Sequence, residues 1–299
     1  MRKLEILDGS WYVFRAYYWF PELTNDAWQN INAVYWFFRM LFTLWKRRPD
    51  EFVITWDSPQ QTIRKKNFVE YKANRVSMPD EFKWQMRTIK DIVTDLGIPF
   101  LEIPWYEADD IIGTIVKKQQ DKDTWKFQKW ICIVSSDKDL KQLLADWVRQ
   151  FDALKWVEST AQTFYEEYWF QPEQLVDYLS LLGDSSDNIP WVYGIWKKTA
   201  QQLIAQYGTI ENIYVHIDTL QWSVQQKLLD GKDAAFMSKE LVSLYYIDEL
   251  RCDEDWSCRF DFDRFHTVLV DKYQFYSLES ILIDLKKQRQ GWQQFSLFG

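Results

Sequence analysis

Leu182-Gly183-Asp184-Ser185-Ser186-Asp187-Asn188-Ile189-Pro190-Trp191-Val192-Tyr193-Gly194-Ile195-Trp196-Lys197-Lys198-Thr199-Ala200 holds two carboxylates three residues apart, a turn, a hairpin-like segment and a helix start bearing two lysines. Asp184 and Asp187 are hard oxygen ligands of the kind that hold a cation. A helix N-terminus with open backbone amides and nearby positive charge receives a phosphate. Metal chemistry beside a phosphate grip is what phosphodiester cleavage requires. The stretch also marks a change along the chain. Before it, strand patterns alternate with helical ones, as in an open α/β sheet. Near Pro172 the strand signals fade, and helical periodicity dominates from Glu173 to about Ile247. The expected division is an α/β domain over residues 1–170, a helical domain over 171–285 and a polar tail over 286–299.

Composition sets outer limits. With 299 residues, 47% hydrophobic and 27% charged, the chain is long enough for a sizeable core. No apolar run reaches the ~18 residues of a membrane span, and the N-terminal run is interrupted by Glu5 and Asp8, unlike a signal peptide. The three cysteines lack zinc spacing and fit a reduced, cytoplasmic setting. His216 and His266 are the only histidines, which excludes a histidine-rich metal centre. Net charge is −8, so any nucleic-acid binding must come from a local basic strip.

Upstream, Lys3–Leu7, Glu51–Trp56, Phe100–Ile103 and Trp130–Val134 read as short buried strands, and Val148–Phe151 continues the pattern. Acids follow them: Asp8, Asp57, the group Glu107, Asp109 and Asp110, then Asp137 and Asp139. Carboxyl ends of strands in an open α/β sheet face the crevice where ligands bind. Each acid alone is explained by a turn or a helix cap. A first-turn acid gains about 0.3–1 kcal/mol from the helix dipole, but three acids in four residues exceed what a cap needs. Glu107 and Asp110 share a helix face. With Asp184 and Asp187 the acids number nine in five clusters. Gathered together they would repel strongly unless more than one divalent ion, Mg²⁺ or Mn²⁺, lay among them. Between them lies Arg64-Lys65-Lys66-Asn67-Phe68-Val69-Glu70-Tyr71-Lys72-Ala73-Asn74-Arg75, basic with interleaved aromatics. By composition it suits phosphate contact and base stacking, though alone it reads more readily as a solvated helix face.

The opening stretch resembles the G-D-x-S-D-N-I-P-G-V-x-G-I-G-x-K-T-A segment of the bacterial 5′ nucleases, the family that includes the 5′→3′ exonuclease domain of DNA polymerase I and the flap endonucleases. Tyr71-Lys72-Ala73-Asn74-Arg75, Glu107-Ala108-Asp109-Asp110 and Asp137-Lys138-Asp139-Leu140 resemble further family motifs, and the likeness covers about residues 3–285. It implies a PIN-like sheet with surrounding helices, a helical arch near residues 64–90 and a helix–three-turn–helix DNA-binding element in the second domain. It implies that Asp8, Asp57, Glu107, Asp109 and Asp110 hold one metal and Asp137, Asp139, Asp184 and Asp187 a second. Lys72 and Arg75 would grip the scissile phosphate, with Asp110 grouped with them as catalytic. Tyr71 would stack near the terminal base and Arg64 would assist in binding DNA. Gly194, Lys197 and Lys198 would hold the duplex, with K⁺ on backbone carbonyls of the hairpin. Gln294-Phe295-Ser296-Leu297-Phe298 resembles the peptide that docks bacterial replication proteins on the sliding clamp, with Gln294, Leu297 and Phe298 as contacts.

One departure is systematic. The chain has 18 tryptophans and 9 glycines, where average usage predicts roughly 20 glycines. Trp11, Trp28, Trp36, Trp105, Trp169, Trp191 and Trp196 stand where the family has glycine or fit the same swap. Either the protein has diverged and grips DNA weakly, or UGA codons read as glycine in its own cell have been written as tryptophan. Intact motifs around each swap favour the second reading. The intact mass of the natively made protein decides it.

These readings converge on a monomeric, metal-dependent 5′→3′ exonuclease and flap endonuclease acting on nicked or branched DNA with a 5′ single-stranded end, and on RNA primers, in replication and repair. It is expected to stand alone, since no polymerase segment follows. A non-catalytic branched-DNA-binding or clamp-associated module is the alternative, and an RNase on the same acid-lined sheet a second.

Overall fold

A computed structural model describes residues 2–24, 29–120, 129–252, 256–257 and 261–295, with side chains as far as residue 288. In chain order the elements are β1 (Lys3–Asp8), α1 (Gly9–Trp19), α2 (Asn32–Trp45), β2 (Glu51–Trp56), α3 (Ile63–Asn67), α4 (Asp80–Leu96), β3 (Phe100–Glu102), α5 (Ala108–Gln119), β4 (Trp130–Val134), β5 (Val148–Asp152), β6 (Val157–Ser159), α6 (Ala161–Tyr168), α7 (Leu175–Leu182), α8 (Lys197–Tyr207), α9 (Ile210–Val215), α10 (Trp222–Asp230), α11 (Lys232–Val242), α12 (Phe262–His266) and α13 (Glu279–Phe295). The class is mixed α/β with a strongly helical C-terminal half. The expected strands are present, and among the described residues the elements after Ser159 are all helical. Helix α1 follows directly on β1 and is capped by the Asp8 carboxylate, which accepts from Trp11 N at 3.1 Å. The three-residue β6 is too short to show a pattern.

The chain forms two compact units, neither of them continuous in sequence. One comprises residues 1, 56–77 and 102–252, the other residues 2–55, 78–101 and 253–299. In the first, β4 and β5 run parallel from Ile131↔Val148 to Val134↔Phe151, and β6 returns antiparallel to β5. Its helical core gathers Phe164, Phe170, Leu181, Ile204 and Leu241. Helix α7, Leu-Val-Asp-Tyr-Leu-Ser-Leu-Leu, is apolar almost all round and packs on α8, α9 and α11. Its buried Asp177 is satisfied by Ile210 N at 2.9 Å and Lys239 Nζ at 2.6 Å.

In the second unit the strands lie in the order β3-β2-β1, with β1 and β2 parallel from Leu4↔Glu51 to Asp8↔Thr55. Every residue of β2 is buried, as a continuous apolar run in a parallel sheet should be. Helix α2 starts at Ile31, which has no capping side chain. Gln85 of α4 takes that role: its Oε1 accepts from Ala33 N at 2.8 Å and Val34 N at 3.3 Å, and its Nε2 donates to Asn32 Oδ1 at 3.2 Å. Residues 286–295, expected as a polar tail, continue α13. Of the expected clamp contacts, Leu297 and Phe298 lie outside the described residues, as does the side chain of Gln294. No helix among the described residues is long and apolar enough to cross a membrane.

Three tryptophans adopt the left-handed backbone: Trp105 (φ 69°), Trp156 (φ 58°) and Trp169 (φ 64°). For a residue with a Cβ this conformation costs about 1–2 kcal/mol.

Candidate active site

The first acid group forms at the start of α5. Asp57, just past β2, accepts from Ala108 N through Oδ1 at 2.8 Å. Asp110 Oδ2 accepts from Glu107 N at 3.1 Å. Capping therefore accounts for part of this cluster. It does not account for what the buried oxygens carry besides. Asp110 takes a forked ion pair from Arg64, Nη1 to Oδ2 at 2.8 Å and Nη2 to Oδ1 at 2.6 Å, together with Tyr245 N at 2.8 Å. Glu107 Oε2 accepts from Arg64 Nη1 at 3.1 Å and the Tyr71 hydroxyl at 3.0 Å, and Oε1 accepts from Lys72 Nζ at 2.8 Å. Burial would raise the Glu107 pKa, but Lys72 and Arg64 outweigh it and hold the carboxyl below its ordinary value. Burial would likewise lower the Lys72 pKa, but Glu107 raises it well above the usual lysine range.

Two of the expected DNA contacts lie inside the protein. Arg64 is 3% exposed and donates its two remaining N–H groups to Leu241 O at 3.0 Å and Ser243 O at 2.7 Å. All five guanidinium donors are engaged inside the protein. Tyr71 is 4% exposed and packed into the helical core, so its ring presents no face to a base.

The second group is built on the opening stretch. Gly183 turns the chain at φ 61°, where a Cβ would fall 2.3 Å from Pro190 O. No other residue fits that position. Asp184 and Ile189 then pair backbone to backbone, and Asp184 Oδ1 accepts from Ser186 N at 2.8 Å. The segment after α3 is fastened to this loop. Lys72 N donates to Asp187 O at 2.8 Å, Asn74 Nδ2 to Ser185 O at 2.7 Å and Asn188 Nδ2 to Glu70 O at 2.8 Å. Arg75 is ion-paired with Asp187, and Lys72 Nζ stands 3.9 Å from the same carboxylate. Lys138 Nζ holds Asp184 Oδ2 at 2.5 Å. Asp137 Oδ1 accepts from Asp139 N at 2.8 Å. Asp139 Oδ1 is cut off from solvent with no hydrogen-bond partner among the described residues. Burial first, then Asp137, Lys138 in opposition, and finally Asp184 and Asp187, push its carboxyl up to about 7.

Lys72 thus bridges the two groups, reaching Glu107 and Asp187, so acids distant in sequence share one region of the first unit. Among the described residues no three acids stand together in a group that could hold a metal ion, and Arg64, Lys72, Arg75 and Lys138 are ion-paired with Glu107, Asp110, Asp187 and Asp184. Asp109 sits half-buried in the first turn of α5. Asp8 is buried and belongs to the other unit. Lys197 and Lys198 are exposed at the start of α8, and Gly194 turns at φ 80° where a Cβ would crowd Lys227 Cε at 2.9 Å. The segment expected as the hairpin, residues 189–198, is a loop running into α8, and the Asp184↔Ile189 bridge closes the turn before it.

Lys138 had no role assigned from sequence, although a cation between two acids in Asp137-Lys138-Asp139 is a visible signal. Nor did it find the backbone of residues 241–245, which carries no signal at all.

Comparison with known proteins gives a consistent picture. Residues 3–171 match the model of the 5′-3′ exonuclease N-terminal resolvase-like domain, and residues 170–260 that of the 5′-3′ exonuclease C-terminal SAM fold. A 5′-3′ exonuclease of Aquifex aeolicus is 35% identical over the full length of both chains. DNA polymerase I of Caldicellulosiruptor bescii is 38% identical over 81% of this chain, which spans 29% of that longer protein. Among solved structures, the T5 D15 protein co-crystallised with metal ions superposes with a TM-score of 0.65 at 20% identity, over 96% of this chain and 99% of that one. The catalytic core of Rad2 in complex with DNA superposes with a TM-score of 0.64 at 14% identity, over 95% and 92%. At these identities the structures speak for the fold.

Proposed function

We propose that this chain, which belongs to the 5′-3′ exonuclease family, is a metal-dependent nuclease that hydrolyses DNA phosphodiesters at or near a 5′ end. Its substrates in this reading are nicked or flapped duplexes and RNA primers on DNA, met in the cytoplasm during replication and repair. Residues 1–170 carry the chemistry and 171–285 the duplex contact. One observation supports the reading above the others: Lys72 and Arg75, cations suited to a phosphate, are poised on the carboxylates Glu107 and Asp187 beside a buried carboxylate oxygen without a partner.

That orphaned Asp139 oxygen, with Asp137, Asp184 and Asp187 around it, fits a hard divalent cation such as Mg²⁺ or Mn²⁺. Asp57, Glu107, Asp109 and Asp110 are proposed for the companion site. When bound, such a pair supplies an activated water and neutralises charge at the leaving 3′ oxygen. The protein's own part is to place the phosphate. Lys72 is held in its left-handed turn (φ 53°) by the bond from its backbone to Asp187. Its ammonium and the Arg75 guanidinium lie on the same carboxylate, so both can turn together to the non-bridging oxygens of one phosphate and steady the charge developing there. Lys197 and Lys198, with the amides near Gly194, meet the duplex backbone at the start of α8, where K⁺ is the proposed ion on loop carbonyls. Gln294, Leu297 and Phe298 are proposed to reach a sliding clamp.

A 5′-flap oligonucleotide tests this. With Mg²⁺, cleavage near the junction is expected, abolished by EDTA and lowered in kcat by about 10²–10³-fold in Lys72→Ala. Lys72→Ala is cleaner than Asp110→Ala, which would also strand Arg64. Binding of the flap without cleavage at any divalent concentration would replace this reading with a branched-DNA-binding module.

A further inference from the structure

We propose that the natural protein carries glycine, not tryptophan, at residues 105, 156 and 169, and that the structure separates such positions from the true tryptophans. The inference does not rest on the nuclease reading. It rests on backbone conformation, which is independent of any motif.

Seven non-glycine residues among those described have positive φ: Arg48, Lys72, Trp105, Trp156, Trp169, Asn188 and Gln274. Three of the seven are tryptophan, a residue that makes up 18 of 299 positions. Bulky side chains are the poorest occupants of this region and glycine is the best. Each of the three sits where the chain asks for glycine. Trp169 follows the last residue of α6 and donates its N–H to Tyr165 O at 2.8 Å, the left-handed cap that glycine usually fills. Trp156 closes the turn between β5 and β6, after Asp152 Oδ1 has accepted from Leu154 N and Lys155 N at 3.0 and 3.1 Å. Trp105 serves through its backbone alone: its N donates to Ser58 Oγ at 3.1 Å and its carbonyl accepts from Ile63 N at 2.9 Å. The three side chains are 58%, 58% and 72% exposed for residues 105, 156 and 169.

Trp45, Trp56, Trp147 and Trp256 behave in the opposite way. All are buried, at most 9% exposed, and none has positive φ. A large apolar ring belongs inside, and these four are tryptophans by physical criteria. One residue name therefore covers two populations, and a cell that reads UGA as glycine and UGG as tryptophan accounts for both. Trp156 was not among the positions found by motif, so the backbone extends the set. Trp191 and Trp196 are exposed but lack positive φ, and the backbone criterion does not assign them.

Two measurements test this. Peptide masses of the protein purified from its own cells should show glycine at 105, 156 and 169 and tryptophan at 45 and 56. In recombinant protein, Trp105→Gly combined with Trp169→Gly should raise the folding equilibrium constant by about fivefold or more per site over the chain as written, read from denaturant midpoints. Residue 156 is left out because its ring packs edge-on against Phe151, centroids 5.1 Å apart, and that contact would be lost. Trp56→Gly should shift the midpoint the other way. Tryptophan masses at the three sites, glycine at 45 and 56 as well, or a double variant less stable than the written chain would each overturn the proposal.

Discussion

Arg64→Ala is expected to destabilise the protein by about 3–5 kcal/mol, the range for removing one partner of a buried ion pair. The side chain is 3% exposed, its partners Asp110 and Glu107 are 1% and 7% exposed, and its loss takes the forked cation from Asp110, one donor from Glu107, and the guanidinium donors from Leu241 O and Ser243 O. Native proteins hold only about 5–15 kcal/mol in reserve, so much of the population should be unfolded at modest urea. Arg64→Lys should recover less than half, because an ammonium cannot reproduce a planar fork with five donors. Urea titration followed by circular dichroism checks this. A midpoint equal to the parent's, with unchanged slope, would show that the guanidinium is not the tie described here.

Asp139→Asn should move stability and activity in opposite directions. The metal-free chain should become more stable, because one of the mutually repelling carboxylates Asp137, Asp139, Asp184 and Asp187 is neutralised where an oxygen already lacks a partner. The sign follows from the raised carboxyl pKa. A group that holds its proton more tightly when folded favours the fold at low pH and loses that advantage as pH climbs from about 4, its unfolded value. The penalty is complete above about 7, the folded value. The gain in Asp139→Asn should therefore be absent at pH 4 and reach at least about 1 kcal/mol at pH 8. Flap cleavage should fall by more than the ~10–100-fold typical of losing an outer-shell partner of a metal. Thermal melts at the two pH values, with and without Mg²⁺, read the first effect. A variant that is less stable than the parent at pH 8 in EDTA would contradict the crowding of charge inferred here.

Much of the fold was legible because its signals are local. The runs at Glu51–Trp56 and Trp130–Val134 are apolar, bounded by turn residues, and end where expected. Helix α4 announces itself by Pro79-Asp80 and stops at Gly97, in the left-handed conformation at φ 67°. The acids were legible as well, since their spacing is written in the chain. Their cationic partners were not. Arg64-Lys65-Lys66 looks like one solvated strip, yet Arg64 is buried, Lys65 ties its own turn through Val69 O and Tyr71 O at 2.6 and 2.8 Å, and only Lys66 is exposed without such a bond. What sets Arg64 apart from its neighbours is partners 43 to 179 residues away, Glu107, Asp110, Leu241 and Ser243. No local pattern encodes such contacts. At Asp8 the local pattern left two readings open, because an aspartate before glycine serves equally as turn former and helix cap.

The pairs formed by Lys72, Arg75 and Lys138 give the molecule a thermodynamic rule of order. While each cation rests on a carboxylate, the rim offers a passing polyanion little uncompensated positive charge, on a chain whose overall balance is already −8. Whatever neutralises the carboxylates releases the cations, and whatever draws the cations away opens the carboxylates. Divalent ion and nucleic acid then promote one another's occupancy by the same factor in either sequence of arrival.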